Sequence, residues 1–196
     1  MPLSPAQAAE SLKDIEMTGQ RSALAYCYAN ASPHFLLWGV IWMIGYAGSG
    51  LLIAHGMSRE TGFLWLILSL LGLAGSAAIG YRQHRRLGAG ADALAERRQG
   101  LRFFWAFWII TLFINAAYWV TGQLDARQQA AFVPLVAGMF YAVLGLWRGP
   151  RLVATGLALT ALTLIGFTWL DGWFLYWMAA VGGGALVLTG LWLRTV

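Results

Sequence analysis

The sequence predicts an all-α, polytopic membrane helical bundle with about six transmembrane helices, which would form three helical hairpins. Of the 196 residues, 59% are hydrophobic and only 11% are charged, and the mean hydropathy is +0.63. Soluble domains carry about 25% charged residues, and a soluble fold of this length could not hide so much apolar surface. Lipid removes this difficulty because it covers the apolar outside of the protein.

Residues 1–33 are predicted to form an amphipathic helix outside the membrane, before a transmembrane domain at 34–196. Ser4 is a suitable N-cap residue, and Pro5 follows at the first helical position. One narrow stripe recurs at helical spacing, formed by Leu12, Ile15, Ser22, Tyr26 and Ala29. Pro33 is expected to break this helix just before the first apolar run.

Six continuous apolar runs follow, at 35–54, 62–81, 103–121, 130–147, 152–170 and 173–193. At about 1.5 Å per residue, each run is about 30 Å long as a helix, which matches the hydrocarbon core of a bilayer. A β-barrel strand needs only about 10 residues of alternating pattern, so these runs favour helices.

The basic residues predict the orientation of the spans. All of the 13 basic residues except Arg59 and Arg127 lie in the N-terminal segment, in the two loops on the same side, or in the C-terminal tail. Short cytoplasmic loops carry an excess of Arg and Lys, so both termini are expected in the cytoplasm, in a bacterial inner membrane. Arginines at helix ends indicate contact with anionic lipid headgroups, and nucleic acid is not expected as a partner.

The loop after the second span is both basic and helix-prone. Four of its arginines are expected to contact lipid headgroups or a partner: Arg85, Arg86, Arg97 and Arg98. An alternative pairs them with acidic residues of the N-terminal helix, namely Glu10, Asp14 and Glu16. Exposed ion pairs are individually weak, so a partner would displace this contact easily.

The second helix of each predicted hairpin ends in a similar sequence motif. The three motifs are AAIGYR (77–82), VLGLWR (143–148) and TGLWLR (189–194). They are compatible with a triplicated hairpin. They are equally compatible with the usual composition of transmembrane helix ends at the cytoplasmic side of the membrane.

The apolar runs carry no Asp, Glu, Lys, Arg or His well inside them, which argues against a proton-coupled pump. His34 and His55 are too far apart on one helix, about 30 Å, to bind one metal. Cys27 is the single cysteine, so no metal site or catalytic set is predicted, and the sequence leaves any cofactor open.

One aromatic cluster is denser than a membrane-interface belt requires. Trp169, Trp173 and Trp177 flank Asp171, and Tyr118 and Asn115 are expected near the same end of the bundle. A carboxylate among indole rings suits a cationic or ring-bearing ligand, such as a quaternary amine or a quinone headgroup. The alternative is interfacial anchoring for the tryptophans and helix packing for Asn115.

Small residues at four-residue spacing predict close helix packing. Gly138 and Ala142 form one such pair, and Gly182, Gly183 and Gly184 form the densest small surface. These surfaces are expected either to pack within the bundle or, for 182–184, to contact another subunit.

The stretch 32–46, SPHFLLWGVIWMIGY, resembles a group of small bacterial multi-pass membrane proteins with an N-terminal cytoplasmic helix. Pro33, Phe35, Trp38, Gly39 and Trp42 carry the resemblance. It implies an accessory or regulatory role and transfers no catalytic residue.

The leading functional interpretation is a non-enzymatic accessory, scaffolding or regulatory subunit, acting through helix faces and the N-terminal helix. Its expected partner is another membrane protein or a second copy of the chain. One alternative is a small transporter or channel for a neutral or lipid-like solute. Another is a membrane enzyme or cofactor-binding protein that uses the Asp171 cluster.

Overall fold

The computed structural model of the protein describes residues 5–86, 91–122 and 124–195. Six helices make up this part of the chain: Pro5–Ala54 (α1), Glu60–Arg86 (α2), Ala91–Thr121 (α3), Ala126–Arg148 (α4), Pro150–Trp169 (α5) and Phe174–Trp192 (α6). No strand occurs among the described residues, and each helix contains a segment long and apolar enough to cross a membrane. The predicted fold class is therefore confirmed, and the chain is a multi-pass membrane protein.

The two ends of the bundle differ in charge. Arg82, Arg148, Arg151 and Arg194 lie at what is called here the arginine-rich end, from which the first half of α1 also extends. The opposite end contains the connections from α1 to α2, from α3 to α4, and from α5 to α6.

Helix α1 is continuous over 50 residues, with Pro33 inside it. Its length is therefore about 75 Å, far more than a bilayer requires. The expectation that Pro33 separates two helices was wrong. Contacts on both sides of the proline hold the helix against the bundle. Before it, Ser32 Oγ donates a hydrogen bond to the Gly190 carbonyl oxygen (2.6 Å) and Tyr28 is fully buried, and after it the Phe35 side chain is buried.

Because packing holds this helix through Pro33, replacing the proline should stabilise it. An internal proline removes one backbone hydrogen bond and costs a helix about 3 kcal/mol. We expect Pro33→Ala to raise the free energy of unfolding in detergent by about 1–3 kcal/mol. An unfolding titration checks this, and a lower stability for the variant would show that α1 needs a break at this position.

Helix α1 is the centre of the packing. It contacts α2 along one face and α6 along another, and the ring of Phe35 reaches Tyr141 of α4 at 4.9 Å between centroids. Helices α4 and α5 form a second tightly packed pair, so the closest packing also joins the second predicted hairpin to the third. Buried side chains from both groups make one core, including Tyr46, Leu159, Phe174, Met178 and Leu186.

The turn between α4 and α5 consists of Gly149 alone. Its φ of 117° lies in the left-handed region that favours glycine, and Pro150 starts α5 immediately afterwards. A Cβ at Gly149 would also collide with the hydroxyl of Tyr28. That hydroxyl accepts a hydrogen bond from the Arg151 backbone N–H (3.3 Å), so α1 caps the start of α5.

Helix α6 is not α-helical throughout. Its segment Met178–Gly183 is π-helical, between α-helical turns at Phe174–Trp177 and Gly184–Trp192. In this segment Gly182 and Gly183 are buried, and Gly183 packs against Met43 and the Gly39 carbonyl of α1. The sequence predicted one regular span here, since hydropathy does not register a widened turn.

Helix α3 has little contact with the rest of the bundle. None of its membrane-spanning window, within Gly100–Thr121, is buried. Its ring contacts to other helices are Trp38 with Phe107 (6.1 Å) and Tyr118 with Phe132 (5.3 Å). In water such a surface would be highly unfavourable, whereas lipid solvates it at no cost.

Candidate functional site

Helices α1 and α2 carry similar twelve-residue motifs. They read WGVIWMIGYAGS at 38–49 and WLILSLLGLAGS at 65–76, with Trp, two glycines, Ala and Ser at matching positions. This repeat was not predicted, although an alignment of the two spans reveals it. Because the helices are antiparallel, the start of each motif lies beside the end of the other.

The two motifs make reciprocal contacts. Trp65 Nε1 donates a hydrogen bond to Ser49 Oγ (3.0 Å), and Trp38 Nε1 donates one to Ser76 Oγ (3.2 Å). The glycines beneath the rings are equally matched. A Cβ at Gly45 would lie 2.6 Å from the Trp65 ring, and one at Gly72 would lie 2.8 Å from the Trp38 ring. The hairpin therefore has local twofold symmetry, with a glycine at each position where an indole ring packs on the opposite helix.

The two ends of this symmetric pair have different surroundings. Near the arginine-rich end, the Trp38 ring packs on Phe107 of α3. Near the opposite end, the Ser49–Trp65 pair borders a cavity of about 190 Å³, here called the Tyr46 cavity. Its described lining residues come from four helices: Tyr46, Ser49, Ile53, Thr61, Trp65, Ala126, Gln129, Ala130, Val133 and Leu175.

Tyr46 forms the floor of the cavity and is only 3% exposed. Its hydroxyl donates a hydrogen bond to the Ala130 carbonyl oxygen of α4 (2.9 Å). Its ring lies edge-on to Trp65 at 5.1 Å and to Trp42 at 5.8 Å. Thr61 and Ala126, near the starts of their helices, also line the cavity.

The described lining carries no formal charge. Its polar groups are the hydroxyls of Tyr46, Ser49 and Thr61 and the carboxamide of Gln129, among aliphatic and aromatic side chains. Such a lining suits a small uncharged molecule, since an ion would lose its hydration without gaining a counter-ion.

The predicted ligand residue Asp171 forms an ion pair with Arg127. Arg127 also donates a hydrogen bond to the Phe167 carbonyl oxygen, and its guanidinium lies 4.5 Å from the centre of the Phe167 ring. The Asp171 side chain is 87% exposed, whereas that of Arg127 is 28% exposed. The carboxylate therefore has a cationic partner within the chain, which the sequence did not predict.

The remaining members of the predicted cluster have separate environments. Trp169 and Trp173 are 77% and 70% exposed, and Trp177 points inward, donating to the Leu162 carbonyl oxygen (2.9 Å). Tyr118 donates to the Gln129 carbonyl oxygen (3.0 Å), and Asn115 donates within its own helix to Thr111 (2.7 Å). None of these residues is among the described lining of the Tyr46 cavity.

Arginine side chains connect α1 to the neighbouring helices at the arginine-rich end. Arg194 Nε donates to Ser32 Oγ (2.9 Å), and Arg148 Nη1 to Cys27 Sγ (3.6 Å). Arg151 donates to the Trp192 carbonyl oxygen (2.5 Å) and lies over the Tyr28 ring at 5.7 Å. Some of the arginines used to predict orientation thus also hold helices together.

The expected contact between the acidic N-terminal helix and the basic loop is not made by the residues that the structure describes. Glu10, Asp14 and Glu16 are exposed, and none forms a described ion pair with Arg85 or Arg98. The side chains of Arg86 and Arg97 lie outside the described residues.

The predicted small-residue surfaces pack mainly within the chain. Gly138 and Ala142 of α4 face Gly156 of α5, where the two backbones touch. Gly182 and Gly183 are buried, and only Gly184 has open space beside it. Gly182 and Gly183 are therefore buried within the single chain, and a contact between subunits at 182–184 stays a prediction.

Comparisons with protein-family models, curated proteins and solved structures found no match to this chain. Its function is therefore argued from its geometry.

Proposed function

We propose that the protein is a non-enzymatic accessory subunit of a bacterial inner membrane, with its arginine-rich end in the cytoplasm. It would present the first part of α1 to a protein partner. The observation that carries this proposal is the projection of α1 beyond the bundle. All residues from Glu10 to Ala23 are exposed, and the packed part of α1 begins at Leu24.

This projecting segment has an apolar face that the described bundle leaves uncovered. Leu12 is 62% exposed and Ile15 is 68% exposed, and they lie three residues apart on one face of the helix. A helix with a bare apolar stripe gains free energy when a partner covers it, by about 25 cal/mol per Å² of apolar surface. The projection therefore favours docking over a purely structural role.

The charge beside this stripe favours a basic partner. Glu16 directly follows Ile15 and lies four residues after Leu12, so its carboxylate emerges beside the stripe. A second copy of α1, aligned in parallel, would bring the two Glu16 carboxylates together. An amphipathic helix with Arg or Lys beside its apolar face would match instead.

Site-specific photocrosslinking in native membranes tests this proposal. A benzophenone side chain at Leu12 is expected to give a protein adduct, whereas the same group at Lys13, which faces away from the stripe, is expected to give little. The variant Glu16→Lys should reduce the Leu12 adduct about tenfold, as should 0.5 M salt, since exposed charge pairs are screened.

A matched control is Lys13→Glu, which changes charge on the other face and should leave the adduct unchanged. Equal adducts from Leu12 and Lys13, adducts with lipid alone, or adducts with a second copy of this chain would each contradict a basic protein partner at this stripe.

A further inference from the structure

We propose that the Tyr46 cavity is a binding site for a single uncharged ring that bears a hydrogen-bonding oxygen, such as a phenol. This inference concerns the opposite end of the bundle from the N-terminal stripe and does not depend on the docking proposal. It rests on the size of the cavity, on its lining and on one buried hydroxyl.

The size of the cavity selects a small ring. An apolar cavity of about 150 Å³ in a protein interior accommodates benzene. The Tyr46 cavity, at about 190 Å³, has room for one six-membered ring and a few further atoms. A drug-sized molecule or a whole lipid would not fit, although the ring end of a longer molecule would.

The lining selects an uncharged molecule with an oxygen acceptor. Ser49 is 4% exposed, and its Oγ accepts the Trp65 N–H, but its own O–H has no acceptor among the contacts of the described residues. A buried donor without an acceptor is unfavourable, so a ligand oxygen at this position would satisfy it. Gln129, an exposed residue that also lines the cavity, uses its Nε2 to donate to the Leu124 carbonyl oxygen, which leaves its Oε1 as an acceptor for a phenolic O–H.

The aromatic walls favour a flat ring over an alkyl chain. Tyr46 and Trp65 meet edge to face at 5.1 Å, and a third ring beside them would add contacts of the same kind. Because Thr61 and Ala126 place part of the lining at the starts of α2 and α4, a ring could come from the water phase or as the end of a lipid-soluble molecule.

Two probes with the same ring distinguish these sources. Tritiated phenol is added to the water phase, and tritiated 4-dodecylphenol is mixed into the lipid, each with the full-length protein in nanodiscs and with empty nanodiscs as blank. Saturable binding of phenol indicates a water-soluble ligand class, and saturable binding of 4-dodecylphenol alone indicates a lipid-borne one. Either result supports the site if the variants below respond.

Val133→Trp should fill the cavity and reduce saturable binding at least tenfold. Ser49→Ala should weaken binding about fivefold by removing the donor to the ligand oxygen. Ser76→Ala is the matched control, because Ser76 accepts the Trp38 N–H in the same way but lies away from the cavity. It should lose similar stability and retain binding.

The serine pair keeps the test valid if Val133→Trp does not fold. Absence of saturable binding of both probes to the wild-type protein would overturn the proposal. Equal weakening by Ser49→Ala and Ser76→Ala would also overturn it, because a general loss of α1–α2 packing would then explain the effect.

Discussion

Replacing Gly156 with leucine is expected to lower the free energy of unfolding by about 3 kcal/mol or more. A Cβ at this position would strike the backbone of α4, at the amide nitrogen of Ala142 and the carbonyl oxygen of Gly138. Backbone atoms within a helix cannot move aside as a flexible side chain can, so α4 and α5 must separate. An unfolding titration in mixed micelles would measure the change.

The matched control is Gly80→Leu in α2. No atom lies within 4 Å of the position that a Cβ would take at Gly80, and the helix propensity of leucine slightly favours the change. We expect the stability of this variant to stay within about 0.5 kcal/mol of wild type. Similar losses for both variants would show that the α4–α5 contact is not the close backbone approach described here.

The second large effect is expected at Arg127. Arg127→Ala should lower the free energy of unfolding by about 1–3 kcal/mol, because it removes the donor that satisfies the Phe167 carbonyl in the last turn of α5. It also removes the guanidinium from the face of the Phe167 ring. Unfolding measured as for Gly156→Leu would test this.

Asp171→Asn should cost much less, below about 1 kcal/mol, although it breaks the same ion pair. The Asp171 side chain is 87% exposed, and exposed ion pairs contribute little. Arg127 keeps its carbonyl and ring contacts in that variant. A larger loss for Asp171→Asn than for Arg127→Ala would show that the carboxylate, and not the cap on α5, is the important partner.

The membrane spans could be predicted from sequence because a single physical requirement defines them. A lipid-facing helix must be apolar over about 20 residues, and composition alone reports this. The predicted run at 130–147 thus lies inside the observed helix Ala126–Arg148. The helix begins four residues before that run, after an Asp125–Gln128 capping box that was not predicted.

Features that depend on contacts between distant segments were not predictable in this way. Pro33 signals a helix break locally, and contacts with other helices, such as those of Tyr28, Ser32 and Phe35, override that signal. The pairing of Asp171 with Arg127 joins residues of different helices, which hydropathy does not orient. The Tyr46 cavity likewise depends on how four helices are rotated about their axes.

The repeated motif of α1 and α2 could be read from the sequence, but the contacts that it makes could not. Two copies of a Trp, two glycines and a Ser fit many arrangements. Only the antiparallel alignment, which sets each indole over the other helix's glycine, turns the repeat into an interface.

An interface built from two copies of one segment has a consequence for how such a chain tolerates change. The Trp–Ser hydrogen bond and the packing of an indole on a glycine each occur twice, and a substitution in either copy alters only one of the two. The unaltered half still defines the alignment of the pair, so the register of the two helices survives damage that would displace an unsymmetrical pair. The membrane half of the longest helix is thereby held in place by redundancy, which leaves the remainder of the molecule free to diverge.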